Sequence, residues 1–216
     1  MTDKKDISAV DILKSGPVIP VIVIRNPDHA VPLAVALSAG GIKVLEITLR
    51  SDAALESIRR IRSELPDALV GAGTVLSEQD LQAAAEAGGR FAISPGLTPR
   101  LLAATGKEAL PLIPGVSSAS EVMMALEAGL TELKFFPARA AGGAEMLRSF
   151  AGPFPQVTFC PTGGITPQNY RDYLALRNVA CVGGSWLVPP EKIEQGDWPA
   201  VTRLAQEAVA GATRSS

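Results

Sequence analysis

Histidine and cysteine are nearly missing from this chain of 216 residues: His29 is its one histidine, and Cys160 and Cys181 are its two cysteines. Without a Cys/His cluster, no protein-bound zinc site is expected. His29 follows Asn26-Pro27-Asp28 at the start of a helical stretch and reads as a surface or capping residue. Each cysteine lies in an apolar, strand-like run, so both read as reduced core thiols in a cytoplasmic protein. Runs of like charge are absent as well. Twenty basic and 22 acidic residues leave a net charge of -2, which speaks against nucleic-acid and polybasic membrane binding. No apolar run reaches the length of a membrane span, and residues 1–6 lead into no apolar signal core. Charged residues make up 19% and hydrophobic ones 47%, a balance that excludes disorder and predicts a globular chain.

What is present is a regular alternation. Short β-branched or apolar runs at 18–24, 43–48, 68–72, 91–94, 110–114, 132–136, 157–161 and 179–183 are separated by alanine-rich stretches, among them 30–39, 53–64, 78–87 and 120–128. Alternating strand and helix patterns predict an α/β fold with parallel strands. Eight such units without a linker or composition break predict one domain over 1–216, a (β/α)8 TIM barrel. A helix over 7–14 would cap one end of it.

In such a fold the chemistry gathers where strands end. The expected strand ends are rich in polar residues and glycine: Glu46-Ile47-Thr48-Leu49-Arg50, Gly71-Ala72-Gly73-Thr74, Ile93-Ser94-Pro95-Gly96 and Pro114-Gly115. Lys134-Phe135-Phe136-Pro137, Cys160-Pro161-Thr162-Gly163-Gly164 and Val182-Gly183-Gly184-Ser185 follow. Lys134 stands out because Leu133, Phe135 and Phe136 flank it. Burial without a partner disfavours an ammonium, and a neutral amine can attack a carbonyl to form a Schiff base. Strand alternation puts Leu45 and Ile47 on the helix-facing side and Glu46 and Thr48 on the inner side. It likewise turns Leu133 and Phe135 outward and Lys134 and Phe136 inward. An inward carboxylate and an inward amine suit acid–base and Schiff-base chemistry. They also suit a buried structural ion pair, and the lysine alone could snorkel to water.

Two glycine stops, Gly163-Gly164 and Gly183-Gly184-Ser185, follow the last two strand runs. Glycine lets backbone N–H groups approach a ligand closely, and this is the usual phosphate position in α/β barrels. Glycine pairs also serve ordinary turns.

Taken in order, these strand-end motifs, with Pro111-Leu112-Ile113-Pro114-Gly115 and Gly183-Gly184-Ser185-Trp186, resemble the 2-keto-3-deoxy-6-phosphogluconate (KDPG)/4-hydroxy-2-oxoglutarate aldolase family over nearly the whole chain. The resemblance implies a class I aldolase that uses no metal or cofactor and acts on a phosphorylated 2-keto acid. It would be a homotrimer that splits KDPG to pyruvate and D-glyceraldehyde 3-phosphate in the Entner–Doudoroff pathway. It assigns the Schiff base to Lys134 and proton transfer to Glu46, and gives the substrate carboxylate to Arg50 and Thr74. Pro95 and Phe136 would line the pocket. Thr162 would face the aldehyde end, and Gly163, Gly164, Gly184 and Ser185 would hold the phosphate. Three other readings share parts of the pattern: an aldolase for 4-hydroxy-2-oxoglutarate, a phosphosugar epimerase or isomerase on a similar barrel, and a non-catalytic phosphate-binding barrel.

Overall fold

The structure, a computed structural model, describes residues 7–105 and 110–212. Residues 1–6, read above as leading into no signal core, lie outside the described residues.

Short strands returned by helices pair in parallel, because each crossover brings the chain back to the same end of the sheet. β1 (Val18–Ile22), β2 (Val44–Thr48), β3 (Leu69–Gly73), β4 (Ala92–Ile93) and β5 (Leu112–Ile113) lie side by side. β9 (Val182–Gly184) adds on the far side of β1, giving the order β5-β4-β3-β2-β1-β9. β6 (Gly115–Val116), β7 (Glu132–Phe135) and β8 (Thr158–Pro161) form a second sheet in the order β6-β7-β8. The expected closed (β/α)8 TIM barrel is therefore corrected: among the described residues a six-stranded half-barrel stands beside a three-stranded sheet, without one continuous eight-stranded ladder.

Local chemistry accounts for both breaks. Pro114 separates β5 from β6 and has no N–H to give to a ladder. Its carbonyl accepts from the Lys134 N–H at 2.8 Å, so the chain passes from one sheet to the other at this residue. On the opposite side, β8 approaches β9 through isolated bridges, Phe159 with Val179 and Thr162 with Gly183. The offset between partners slips by one residue from the first bridge to the second, which interrupts regular pairing.

The helices are α1 (Ala9–Lys14), α2 (Ala30–Ala39), α3 (Ala54–Glu64), α4 (Glu78–Glu86) and α5 (Pro99–Thr105). α6 (Ala119–Glu127), α7 (Gly143–Phe150), α8 (Tyr170–Leu174), α9 (Pro190–Glu194) and α10 (Trp198–Ala212) follow. Ser77 and Ser118 start α4 and α6 by accepting the backbone N–H of Asp80 and Glu121, donors a helix start would otherwise leave unpaired. Around α6 the Glu121 carboxyl also accepts from Ser117 and Ser118. Burial works against that carboxylate, yet these hydrogen bonds together hold its pKa below the usual value. Among the described residues no helix is long and apolar enough to cross a membrane.

The two faces of each strand divide the core. Leu45, Ile47, Leu133 and Phe135 pack outward with Leu33, Leu37 and Ile58 of the helices. Phe135 meets Phe150 of α7 and Phe159 of β8 edge-on, at ring separations of 6.2 and 6.4 Å. The inner faces contribute Ile19, Val44, Phe91, Ile93, Ile113, Cys160 and Cys181 to a separate apolar cluster. Ile12 and Leu13 of α1 join it, so the N-terminal helix closes the interior at the start of the strands. The next inward positions along the strands, two residues on, are polar: Glu46 after Val44, and Thr162 after Cys160.

Candidate active site

At the C-terminal ends of the strands, Lys134 of β7 and Glu46 of β2 meet inside the fold. The Lys134 Nζ lies 3.3 Å from Glu46 Oε1, and the residues are 6% and 1% exposed. The lysine therefore does not snorkel to bulk water; it pairs with the carboxylate that alternation had placed on the same inner face. Its ammonium also stands 5.2 Å from the centre of the Phe136 ring, within reach of a cation–π contact. Room for Glu46 comes from Gly73, the residue opposite Thr48 across the β2–β3 ladder: a Cβ there would collide with the Glu46 carboxylate. Nothing local in the sequence marks Gly73 for this role, which depends on cross-strand register.

A cavity of about 280 Å³ opens above the pair. Arg50, Thr74, Pro95, Lys134, Phe136, Thr162, Gly163, Gly164, Gly184 and Ser185 all line it, so the structure brings together every binding candidate from the sequence. Glu46 is not among the lining residues and reaches the cavity through Lys134. Gly183 of the second glycine stop joins them, and Val21 and Ile165, which the sequence reading had not singled out as site residues, complete the wall.

Each wall has its own physical character. On one side the Arg50 Nε donates to the Thr48 hydroxyl at 3.2 Å, and that hydroxyl donates to the Ile22 carbonyl at 2.8 Å. Nearby, Thr74 holds φ at 57°, in the left-handed region that a β-branched residue rarely adopts. On the other side, Gly163 and Gly164 have φ of 99° and 74°, which glycine adopts without strain. Backbone bonds from Ala138 N–H to Thr162 O (2.7 Å) and from Arg139 N–H to Gly163 O (3.0 Å) tie this loop to the segment after Lys134. Gly184 leaves space of a different kind, since a Cβ there would run into the Trp186 ring.

Beneath the cavity, Cys160 and Cys181 are both free and buried. A hydrogen bond with Cys160, then burial, then the nearby Cys160 and Glu46, push the Cys181 thiol well above its ordinary pKa. A thiol kept protonated is no nucleophile, so Cys181 serves as packing.

A buried amine beside a carboxylate, with a guanidinium to one side and a glycine loop to the other, equips an enzyme for the carbonyl of an anionic substrate. The sequence profile described as KDPG and KHG aldolase matches residues 9–204, and the chain belongs to this aldolase family. It is 58% identical to the KHG/KDPG aldolase of Escherichia coli (strain K12) over 205 residues, covering 95% of this chain and 96% of that one. A crystal structure of KDPG aldolase from Legionella pneumophila, with pyruvate captured at low pH as a covalent carbinolamine intermediate, superposes with a TM-score of 0.93. That match has 51% identity and covers 94% of this chain and 98% of the other. The KDPG aldolase of Zymomonas mobilis ZM4 with 3-phosphoglycerate gives a TM-score of 0.90 at 47% identity, covering 96% and 97%.

Proposed function

We propose that this chain is a class I, Schiff-base aldolase, a lyase that cleaves KDPG to pyruvate and D-glyceraldehyde 3-phosphate in the Entner–Doudoroff pathway. One observation carries the reading: the Lys134 amine, 3.3 Å from Glu46, opens onto a cavity also lined by Arg50 and the Gly163-Gly164 turn. Family membership over residues 9–204 supports it.

Lys134, as the neutral amine, attacks C2 of the substrate, and the resulting carbinolamine loses water to give a protonated imine. Covalent capture of pyruvate in the Legionella relative is in keeping with this first adduct. Glu46, through a bound water, takes the proton of the C4 hydroxyl. The C3–C4 bond breaks, and its electrons flow into the iminium, which becomes an enamine as D-glyceraldehyde 3-phosphate departs. Glu46 then returns a proton to C3, and water hydrolyses the iminium to free pyruvate and the amine. The iminium is the electron sink, so the route calls on no metal or cofactor. Arg50 suits the substrate carboxylate because its planar fork offers two parallel hydrogen bonds, and Thr74 stands beside it. Thr162 faces the C4 end, with Pro95 and Phe136 as apolar walls. Gly163, Gly164, Gly184 and Ser185 take the phosphate.

A second substrate is favoured by the Escherichia coli relative, which carries both the KHG and the KDPG name. Cleavage of 4-hydroxy-2-oxoglutarate to pyruvate and glyoxylate would use Lys134, Glu46 and Arg50 and leave the phosphate loop idle. We further take 1–216 as one domain and the working form as a cytoplasmic homotrimer, in line with the sequence resemblance; light scattering of the purified protein tests the assembly. The activity is tested by supplying KDPG and measuring both products. Equal release of pyruvate and D-glyceraldehyde 3-phosphate supports the reading, and intact KDPG after prolonged incubation overturns it.

A further inference from the structure

Arg50 lies at the outer end of a hydrogen-bond chain that starts in the core. Thr48, 1% exposed and on the same inner face of β2 as Glu46, donates its hydroxyl proton to the Ile22 carbonyl of β1 at 2.8 Å. A threonine hydroxyl has a single proton, so with that proton committed its oxygen can only accept. Arg50 Nε supplies the matching donor at 3.2 Å. Binding Nε leaves the outer nitrogens of the guanidinium available, and it fixes the plane in which they point. Packing alone would ask no more of this position than a valine supplies. The buried hydroxyl, bonded on both sides, does more than fill space.

We propose that Thr48 is a positioning residue for substrate recognition: its hydroxyl holds the Arg50 guanidinium aimed at the carboxylate of the 2-keto acid. This rests on the reading of Arg50 as the carboxylate-binding residue. An otherwise mobile, exposed arginine then meets its substrate already oriented, which saves ordering entropy on binding.

The test is a double-mutant cycle on Thr48→Val and Arg50→Lys, with Thr48→Ser as the conservative variant. The readouts are KM and kcat for KDPG and the pyruvate concentration giving half-maximal borohydride trapping. In the wild-type background Thr48→Val should raise KM and the half-trapping concentration about tenfold, more than it lowers kcat. Thr48→Ser, which keeps the hydroxyl, should stay close to wild type. Lysine has a single ammonium in place of the fork, so a donor given to Thr48 cannot aim a second nitrogen at a carboxylate, and Thr48→Val should add little further in the Arg50→Lys background. An equal KM rise in both backgrounds makes Thr48 a packing residue and overturns the proposal. Unchanged KM in Arg50→Lys overturns the carboxylate reading and the proposal with it, whereas absence of pyruvate trapping by the wild type overturns the aldolase reading. If Thr48→Val does not fold, the wild-type protein still decides: the Arg50 Nε–H should exchange slowly with solvent in nitrogen-15 spectra, and rapid exchange overturns the proposal.

Discussion

Glu46 and Lys134 are 88 residues apart in the chain and 3.3 Å apart at their charged ends, joined across the two sheets near the C-terminal ends of β2 and β7. A buried pair of this kind is not by itself a source of stability, because desolvating both charges offsets their attraction. Removing one partner, however, leaves a buried charge uncompensated, at about 3–5 kcal/mol. Truncation of either residue therefore mixes folding with chemistry, and a near-isosteric change separates them.

Glu46→Gln keeps a hydrogen-bond acceptor near Lys134 and removes the proton shuttle proposed above. Imine formation with pyruvate should persist, while kcat for KDPG falls by about a hundred- to ten-thousandfold. Steady-state kinetics alongside borohydride trapping separate the two steps. An unchanged kcat assigns Glu46 to structure.

Thr74 sets stability against binding. Its φ of 57° places a β-branched residue in the left-handed region, at about 1–3 kcal/mol. Glycine adopts that conformation freely but gives back about 0.5–1 kcal/mol through the unfolded chain. Thr74→Gly should therefore raise the melting temperature by about 2–4 °C for each kcal/mol gained in a chain of this size. It should also weaken pyruvate capture, since the hydroxyl of a residue that lines the cavity with Arg50 is gone. A lower melting temperature means that contacts of the Thr74 side chain outweigh the strain.

Gly163→Ala tests the proposed phosphate position better than a change at Gly184, where an added Cβ would first strike the Trp186 ring. At Gly163 the new methyl would stand 3.3 Å from the Phe136 ring, with φ at 99°. That φ lies beyond the left-handed α well, so the backbone penalty is about 1–3 kcal/mol, and a melting curve checks that the chain still folds. KM for KDPG should rise about tenfold or more, while addition of pyruvate to a short aldehyde without phosphate changes little. A tenfold effect needs only about 1.4 kcal/mol. Equal losses for both substrates point to general disturbance of the loop.

Much of the site could be read from the sequence because a strand's period of two is a local signal. It placed Glu46 and Lys134 inward, and it placed Leu45, Ile47, Leu133 and Phe135 against the helices, as the two apolar clusters and the buried ion pair bear out. The glycine stops after the strands likewise end at the cavity wall. Closure of the sheet was not legible. A count of strand-like runs does not register that Pro114 withholds a donor or that pairing slips between the Phe159 and Thr162 bridges. The inward face of Thr48 was legible, but its bonding role and that of Gly73 stayed hidden for a related reason. Gly73 makes room for Glu46 and Thr48 links Ile22 to Arg50, and both relationships cross from strand to strand.

The central claim is that Lys134 is the nucleophile. Incubating the protein with pyruvate, reducing with borohydride and mapping the modified peptide by mass spectrometry tests it most directly. A reduced pyruvate adduct on Lys134, absent from Lys134→Ala and from Lys134→Arg, whose guanidinium stays protonated, is the predicted result. An unmodified Lys134, or a Lys134→Ala protein that still cleaves KDPG at the wild-type rate, would contradict the account.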